Sequence, residues 1–511
     1  MQQPDPRGVG ERGEAFGVVG GGVAWEQRRR GGQGRHGSQS IDRRRWLRRS
    51  TYVDRVSTVL STAFDESESL MTDPVVIAGG GPVGLAAAAE LAERGLEVVV
   101  FERGATAGAA VAAWGHVRLF SAWPELIAPA ARRLLERTGW TPPPSDAYPT
   151  GAEWVRDYLA PLAAALGDRV RTEAEVVGVA RRGRDRVVDD GRETEPLTVH
   201  VRHADGREER IRAGGFIDAS GTWGTPNPLG GDGLPALGER AAAQAGRIDY
   251  RVPDLTRPAV RDRYAGRHVV VAGSGHSALT ALVSLIGHAG DAAVTWLLRR
   301  GGIGDTFGGG DADELPARGR LGQQARAAVE SGGVRVVTGF RTAAVESGRD
   351  GRLRLVAEDG RTVDAVDRVV ALTGLRPELG WLSELRLELD PTLQAPVRLA
   401  PLIDPNVHSC GSVPPHGVRE LAHPEPGVYL AGMKSYGRAP TFLALTGYEQ
   451  VRSIAAALAG DRDAAERVEL VLPESGVCGG SGGYDGDGGS GGCCGVAAEP
   501  ELIQLGVRRG R

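Results

Sequence analysis

The chain has 511 residues, of which 41% are apolar and 25% are charged, and its formal net charge is −4. This composition is typical of a folded chain with about two to four domains. The small net charge gives no general attraction to nucleic acid or to a membrane surface. No apolar run has the length needed to span a bilayer, and the amino terminus lacks a secretory signal pattern. We therefore expect a cytoplasmic protein that binds neither nucleic acid nor membrane.

Residues 1–70 contain glycine-rich patches and a cluster of arginines between Arg28 and Arg49. The segment shows no sustained hydrophobic periodicity. Its composition favours a disordered extension over an arm that binds nucleic acid or membrane.

A strand, a glycine turn and a helix come next. The β-branched run from Val75 to Ala78 predicts a strand buried on both faces, and Leu85 to Glu93 predicts a helix. Between them, Gly79, Gly81 and Gly84 have the G-x-G-x-x-G spacing. This spacing allows a tight turn, the close approach of a pyrophosphate and close packing of helix on strand.

The end of the following strand supports a dinucleotide site. Glu102 stands there, with Arg103 after it, and a carboxylate at this position can accept the ribose hydroxyls of an adenosine. Pro82 opens the helix whose N-terminus faces the phosphates. The alternative is an ordinary βαβ unit without a ligand.

A segment from Trp114 to Trp123 has neither helical nor strand periodicity and also contains His116 and Arg118. This composition indicates a loop that packs these side chains beside a flat cofactor ring, or else a buried aromatic loop.

The next stretch predicts an amphipathic helix over 151–167 and a small antiparallel sheet over 169–217. A strand then ends at Ser220 and Gly221. The proline-rich segment that follows, up to Pro228, predicts a crossing between domains.

The strand and glycine turn then repeat. His268 to Ala272 predicts a strand, and a G-x-G-x-x-A turn and a helix follow it. The residues of this turn are Gly273, Gly275, His276, Ser277 and Ala278.

No acid stands at the end of the next strand, where Arg299 and Arg300 occur instead. Guanidinium groups at this place favour the 2′-phosphate of NADPH. A solvated surface pair is the alternative.

Residues 334–374 repeat the earlier meander, and their closing step, Thr373-Gly374, parallels Ser220-Gly221. Each glycine turn is thus followed by its own meander and closing strand, which indicates an internal duplication. A later strand leads to a turn at Gly432 and Met433 and to a helix from about Leu443 to Leu458, which again offers a place for phosphate or a flavin edge.

The four cysteines are Cys410, Cys478, Cys493 and Cys494, and no pair of them adjoins either glycine turn. They are too few for a disulfide framework. The last three, in a flexible glycine-rich tail, can hold a thiophilic metal or metalloid. A disordered, redox-exposed tail is the alternative.

The two glycine turns, the Ala-Ser-Gly and Thr-Gly closing steps and the Leu-Ala-Gly turn before Met433 together resemble flavoproteins with two dinucleotide-binding domains, over residues of about 71–472. Within that group the chain looks most like flavin-containing monooxygenases. The Trp114–Trp123 loop, Asn406 to His416, Lys434 to Phe442 and the cysteine-rich tail resemble the flavoproteins associated with bacterial arsenic resistance.

The resemblance implies an α/β fold with two Rossmann-like, three-layer ββα domains, the NADPH domain being inserted in the FAD domain. The implied segments are 71–228 and 378–472 for FAD, 229–377 for NADPH, and a tail over 473–511. FAD is expected at Gly79, Gly81, Gly84, Glu102, Gly432 and Met433, and NADPH at Gly273, Gly275, Ala278 and Arg299. Neighbouring positions complete the predicted cofactor sites: Pro82, Arg103, Trp114, Ser220, Gly221, His276, Ser277, Arg300, Thr373 and Gly374.

Two departures from the family pattern are present. Met433 replaces the usual aspartate of the C-terminal turn, which leaves the flavin contact there to backbone groups. Gly246 to Tyr250 occupies the region of the Phe-x-Gly-x-x-x-His-x-x-x-Tyr segment without matching it, and this weakens a Baeyer-Villiger or standard monooxygenase assignment.

FAD and NADPH on neighbouring domains permit hydride transfer to the flavin. With no cysteine pair near either turn, molecular oxygen is the simplest acceptor, and a flavin C4a-hydroperoxide would oxygenate sulfur, nitrogen or trivalent arsenic in a small molecule. We expect His116, Arg118 and Lys434 to act as donors near the flavin. Lys434 is the only lysine of the chain, and a surface ammonium is its alternative.

Two other functions stay open at this point. One is a flavin reductase or diaphorase that passes electrons to a quinone or small carrier. The other is a flavoprotein that binds arsenite through its tail cysteines without turnover.

Overall fold

The computed structural model describes residues 73–313, 315–407, 413–440 and 442–470. Residues 1–70 and the tail over 473–511, with Cys478, Cys493 and Cys494, lie outside the described residues, as does Cys410. The predictions made for these parts of the chain therefore stay predictions.

The described residues form sixteen strands and fourteen α-helices. The strands are β1 (Val75–Ala78), β2 (Val98–Phe101), β3 (Val170–Arg171), β4 (Ala174–Arg181), β5 (Leu197–His203), β6 (Glu208–Ala213), β7 (Gly215–Asp218), β8 (Ile248–Asp249), β9 (His268–Ala272), β10 (Ala293–Leu297), β11 (Val334–Val337), β12 (Thr342–Ser347), β13 (Leu353–Ala357), β14 (Thr362–Val366), β15 (Arg368–Ala371) and β16 (Val428–Leu430). The α-helices are α1 (Pro82–Glu93), α2 (Ala109–Ala112), α3 (Trp123–Leu126), α4 (Pro129–Glu136), α5 (Gly151–Trp154), α6 (Ala160–Leu166), α7 (Glu239–Gln244), α8 (Pro258–Arg261), α9 (His276–His288), α10 (Pro316–Glu330), α11 (Ala400–Ile403), α12 (Val418–Leu421), α13 (Ala444–Leu458) and α14 (Arg462–Glu466).

The first parallel sheet has the strand order β16-β7-β1-β2-β3. Its central strand β1 is buried on both faces, as its β-branched sequence predicts. Because side chains alternate along a strand, Val75 and Ile77 join a core with helices α1, α4 and α13, whereas Val76 and Ala78 join a core with the β4-β5-β6 meander. Helices, parallel sheet and antiparallel meander are therefore the three layers of this domain.

The second parallel sheet, of order β11-β10-β9-β15-β8, repeats this arrangement. Val269 and Val271 of β9 pack with helices α9 and α10, and Val270 and Ala272 pack towards the β12-β13-β14 meander. The duplicated architecture expected from the sequence is confirmed. The chain then returns to the first sheet as β16 beside β7, so the second domain is inserted in the first.

Both antiparallel meanders are shorter at each end than the sequence predicts, because the closing strands β7 and β15 also belong to the parallel sheets. Val170–Arg171 extends the first parallel sheet as β3, and Val334–Val337 extends the second as β11. A short strand at the edge of a sheet has the same local composition as a strand of a meander, so the sequence does not distinguish them.

The two crossings between the domains lie side by side. Pro226 forms an antiparallel bridge with Leu375, and the Asn227 amide donates to the Gly374 carbonyl over 3.0 Å. The Asn227 side chain also donates to the Thr373 carbonyl over 2.9 Å. We retain the domain boundaries at residues 228 and 377 as a proposal.

Candidate functional site

The first glycine turn connects β1 to α1, and its three glycines have different surroundings. Gly79 has φ +100°, and an added Cβ would lie 2.7 Å from the Ala219 carbonyl oxygen. A Cβ on Gly84 would lie 1.9 Å from the Gly79 carbonyl oxygen, so helix and strand are in direct contact there. A Cβ on Gly81 would meet no atom of the described residues within 4 Å. The turn is therefore closed at Gly79 and Gly84 and open at Gly81, which is the shape that a bound pyrophosphate requires.

Helix α1 begins at this opening. Its N-cap, Gly81, makes no side-chain cap, and Pro82 occupies the first position, where a missing N–H costs nothing. The N–H groups of the first turn and the positive end of the helix dipole are thus available to an anion at Gly81.

Glu102 follows β2 and is tied to the turn through both carboxylate oxygens. Oε2 accepts a hydrogen bond from the Gly80 amide over 2.8 Å, and Oε1 accepts one from the Gly104 amide over 2.7 Å. Each carboxylate oxygen retains a further lone pair for a hydroxyl. Arg103, the next residue, is exposed and lies beside Gly224 in the first crossing. An open turn, an uncapped helix and a fixed carboxylate fit the adenosine and pyrophosphate of FAD.

The second glycine turn, between β9 and α9, has the same opening. Gly273 has φ +130° and lies against the Leu372 carbonyl, while a Cβ on Gly275 would meet no described atom within 4 Å. The Gly273 carbonyl accepts a hydrogen bond from Trp296 Nε1 over 2.7 Å. Ala278 is buried and Ser277 is exposed.

Of the two arginines after β10, Arg299 is exposed and Arg300 is half-buried. Arg299 donates to the Gly231 carbonyl over 3.3 Å, and the backbone carbonyl of Arg300 accepts from the Gly339 amide. Their position at the carboxyl end of the strand next to β9 fits the ribose end of a dinucleotide held at Gly275.

The Trp114–Trp123 loop belongs to the first domain and contacts the second. Phe120 packs edge-on against His276, the first residue of α9, with ring centroids 5.3 Å apart. His276 is half-buried, and its burial lowers its pKa from the ordinary value. The imidazole beside the second turn is therefore neutral near pH 7.

The other predicted side chains of this loop face different neighbours. Trp114 covers Gly151, Trp123 is buried, and Arg118 pairs with Glu153 at 3.7 Å while its side chain stays 60% exposed. The Nε2 atom of His116 is buried and has no hydrogen-bond partner in the part of the chain that the structure describes. Of His116 and Arg118, only His116 thus keeps a buried polar atom for a ligand.

Lys434 is buried rather than exposed. Its Nζ lies 3.1 Å from Asp218 Oδ2, donates to Ser220 Oγ over 3.0 Å and lies 5.3 Å from the ring centroid of Trp381. Asp218 ends β7 and also accepts from the Ser220 amide and hydroxyl through Oδ1. The lone lysine therefore fixes the closing step Ser220-Gly221 to the C-terminal turn.

The C-terminal turn at Gly432 is held by a network that the sequence did not reveal. The Gly432 amide donates to Gln450 Oε1 over 2.8 Å, and Gln450 Nε2 lies 2.8 Å from His416 Nε2 and 2.9 Å from Ser435 Oγ. His416 is only 2% exposed, and burial lowers its pKa. Met433 follows Gly432 in this turn, so the polar contacts come from Gln450 and from backbone groups.

Asp218 and Gln450, which the sequence analysis does not identify, have only a weak signal in the sequence. Asp218 is a charged residue at the end of the apolar run Gly-Phe-Ile, and Gln450 lies on a helix that is buried along most of its length. A buried polar side chain requires a hydrogen-bond or ion-pair partner. The sequence does not reveal which residue this partner is, because Lys434 lies more than two hundred positions from Asp218 along the chain.

The second closing step differs from the first. Thr373 Oγ1 donates to the Asn227 carbonyl over 3.0 Å, so Thr373-Gly374 is bonded to the opposite crossing. Ser220-Gly221 is instead bonded to Asp218 and Lys434.

Some properties are absent from the described residues. No helix in the described ranges is long and apolar enough to cross a membrane, and no group of three or more His, Cys, Asp or Glu side chains there is arranged to hold a metal ion.

Several solved structures share the fold. Bacillithiol disulfide reductase from Bacillus cereus matches with a TM-score of 0.56 and 20% identity, covering 76% of this chain and 99% of that one. The FAD-bound cadaverine monooxygenase DfoA from Erwinia amylovora matches with a TM-score of 0.52 and 14% identity, covering 78% and 98% of the two chains. At these identities the likeness establishes the fold alone. No curated protein matches the chain.

The family model of pyridine nucleotide-disulphide oxidoreductases matches residues 73–424, which contain both glycine turns, both meanders and the loop between Trp114 and Trp123. The chain therefore belongs to the pyridine nucleotide-disulphide oxidoreductase family and is an oxidoreductase that uses FAD with NAD(P)H.

Proposed function

We propose that the protein is an NADPH-dependent FAD monooxygenase that oxygenates a soft nucleophile, namely a sulfur, nitrogen or trivalent arsenic centre of a small molecule. The observation that carries this proposal is the contact between the two nucleotide-binding domains, where the described residues include no thiol. Phe120 of the first domain contacts His276 of the second, and the described ranges contain no cysteine. These ranges therefore offer no thiol to relay electrons from the flavin. In this proposal molecular oxygen, which diffuses to the flavin, accepts the electrons instead.

FAD, when bound, supplies hydride acceptance from NADPH and the transfer of electrons to oxygen. The residues of this chain bind and orient it. Gly81 leaves room for the pyrophosphate, Glu102 offers its free lone pairs to the ribose, and Arg299 and Arg300 recognise the 2′-phosphate of NADPH.

The loop between Trp114 and Trp123 excludes water from the meeting point of the two domains, because Phe120 covers His276 there. In this proposal His116 is the donor to the substrate, since its buried Nε2 has no partner among the described residues. Lys434 acts through Ser220 as a positioning residue, because its ammonium is already paired with Asp218.

The experiment measures NADPH oxidation, oxygen uptake, hydrogen peroxide release and product formation with the FAD-loaded full chain. Three separate probes are used: a thioether, a primary amine whose oxygenation gives a hydroxylamine, and arsenite. A monooxygenase consumes NADPH and oxygen in equal amounts, and one probe lowers peroxide release while its oxygenated product appears. NADPH oxidation that requires a quinone or a disulfide and takes up no oxygen would overturn the proposal in favour of a reductase.

The role of the tail is a separate proposal. Cys478, Cys493 and Cys494 lie outside the described residues, and capture of arsenite by their soft thiolates is expected from their chemistry. Replacing Cys493 and Cys494 by serine should lower arsenite binding and leave the FAD content unchanged. Equal arsenite binding by the variant and the native chain would remove this role.

A further inference from the structure

A cleft lies on the inserted domain, away from its glycine turn. Its volume is about 380 Å³, and side chains from four separate chain segments line it. The lining residues are Arg247, Arg263, Arg267, Asp350, Gly351, Arg352, Asp367 and Arg368. Five arginines thus face two aspartates, which gives the lining a net charge of +3, although the whole chain carries −4.

The cleft is distinct from the dinucleotide site. Arg267 immediately precedes β9, and Gly273 of the glycine turn immediately follows it. Five residues of extended strand span about 16 Å, at about 3.3 Å per residue. Arg247 and Arg368 likewise stand at the beginnings of β8 and β15, so the cleft lies at the amino ends of the parallel strands and the dinucleotide at their carboxyl ends.

The nearby carboxylates are engaged in holding arginines or backbone groups. Asp367 lies 3.6 Å from Arg352 and accepts from the His268 amide, and Asp350 accepts from the Arg352 amide. Asp249, which is not among the lining residues, pairs with Arg263 at 3.2 Å and lies 3.9 Å from Arg368.

Two of the lining arginines have no acidic partner among the described residues. Within the described ranges no carboxylate pairs with Arg247 or Arg267, and the Arg247 guanidinium lies beside Gly351 at the wall of the cleft. Arg263 and Arg247 also repel Arg368, whose pKa is lowered chiefly by burial and further by these two neighbours. A bound anion would relieve this repulsion.

We propose that this cleft is a binding site for a small oligophosphate, either free or carried by a nucleotide, in addition to the FAD and NAD(P)H sites. Guanidinium forks match the geometry of phosphate oxygens and bind them in pairs. The cleft has the volume of a small-molecule pocket rather than the extent of a nucleic-acid groove. The proposal is independent of the oxygenation chemistry.

The test is isothermal titration calorimetry of the FAD-loaded full chain with inorganic tripolyphosphate, at constant ionic strength and with saturating NADP⁺. We expect one tripolyphosphate per chain, and an affinity about tenfold lower when Arg247 and Arg267 are both replaced by glutamine. A matched control replaces Arg182 and Arg210, two exposed arginines of the first domain, and should retain the native affinity. FAD content reports that each variant is folded.

A parallel titration with ATP distinguishes the two sources of phosphate. Equal affinity for ATP and tripolyphosphate means that the cleft recognises phosphate alone, and tighter binding of ATP means that a nucleoside contributes. The proposal is overturned if tripolyphosphate does not bind, if NADP⁺ abolishes its binding, or if both double variants lose affinity equally, since the last result indicates unspecific charge attraction.

Discussion

The two glycine turns have nearly the same sequence spacing but are packed differently. In the first, Gly84 is so close to Gly79 that a Cβ would lie 1.9 Å from the carbonyl oxygen. In the second, Ala278 stands at the corresponding position, and the Gly273 carbonyl accepts from the indole of Trp296 over 2.7 Å. The first turn is thus stabilised by contact of its own helix, and the second by a side chain from the neighbouring strand β10.

The closing strands differ in the same way. Asp218 lies opposite Ala78 in the first sheet, and Ala371 lies opposite Ala272 in the second, so the two are equivalent positions. Asp218 is buried with Lys434, whereas Ala371 belongs to an apolar core. The comparison shows that one architecture accommodates either a buried ion pair or an apolar contact beside its glycine turn.

The largest effect should follow from breaking the ion pair. Lys434→Met leaves Asp218 buried without its cation, and removal of one partner of a buried pair costs about 3–5 kcal/mol. Urea unfolding and FAD content measure the loss, and adding Asp218→Asn should recover part of it. The exposed Arg438, changed to Met, is the control and should alter stability by no more than about 0.5 kcal/mol. A Lys434→Met chain as stable as the native one would mean that the two domains do not differ in this respect.

The next effect concerns the first turn. Gly84→Ala inserts a methyl group into the Gly79 carbonyl, and overpacking of this kind costs about 3 kcal/mol. Gly81→Ala is the matched variant: its methyl group meets no described atom within 4 Å, so it should keep the stability of the apoprotein and lower FAD affinity. The measurements are urea unfolding without FAD and titration with FAD. If Gly84→Ala unfolds at the same urea concentration as Gly81→Ala, the direct contact of helix and strand is unimportant.

A smaller effect depends on pH in the segment that returns to the first sheet. Burial lowers the pKa of His423 to about 4 from an ordinary value of 6.5. Between these values the unfolded chain binds a proton that the folded chain does not bind, so stability falls as the pH decreases. Between pH 7 and pH 5 this histidine should account for a loss of about 2 kcal/mol. Urea unfolding at both pH values should show a shallower fall for His423→Gln, and equal falls in the two chains would contradict the assignment.

The smallest effect concerns nucleotide affinity and the residues at two strand ends. Glu102 follows β2, and Arg299 follows β10. Arg299→Gln should raise the KM for NADPH about tenfold, equivalent to about 1.4 kcal/mol, and leave the KM for NADH unchanged. Glu102→Gln should instead lower FAD content and keep the ratio of the two KM values. Steady-state kinetics with both nucleotides gives the answer. An equal rise for NADPH and NADH would show that Arg299 does not recognise the 2′-phosphate.

The sequence predicts those parts of the fold that depend on local patterns. The β-branched runs, the glycine spacing and the alternating meanders identify both domains, because each pattern reflects burial within a few neighbouring residues. The likeness of the closing step Thr373-Gly374 to Ser220-Gly221 is likewise a local pattern, and it indicates the duplication.

The rest depends on contacts between distant residues. The sequence shows that Lys434 is the only lysine, but its burial depends on Asp218 and Trp381, which lie beside it only in the folded chain. Gln450 and His416 form their network for the same reason, since neither has a motif around it. The sequence predicts that Arg118 lies near the cofactor, but it does not reveal the pairing with Glu153, which depends on the path of the loop between Trp114 and Trp123.

Because the two crossings lie side by side, the segment between them could be deleted without separating the strands of the first sheet. Asn227 in the first crossing and Gly374 beside the second are joined by a 3.0 Å hydrogen bond. Domains whose ends lie together tolerate insertion and excision well. A short glycine linker that connects the two ends would delete every strand from β8 to β15 and keep all five strands of the first sheet. The shortened chain would thus keep the first glycine turn, Glu102 and the C-terminal turn at the ends of strands of a single sheet.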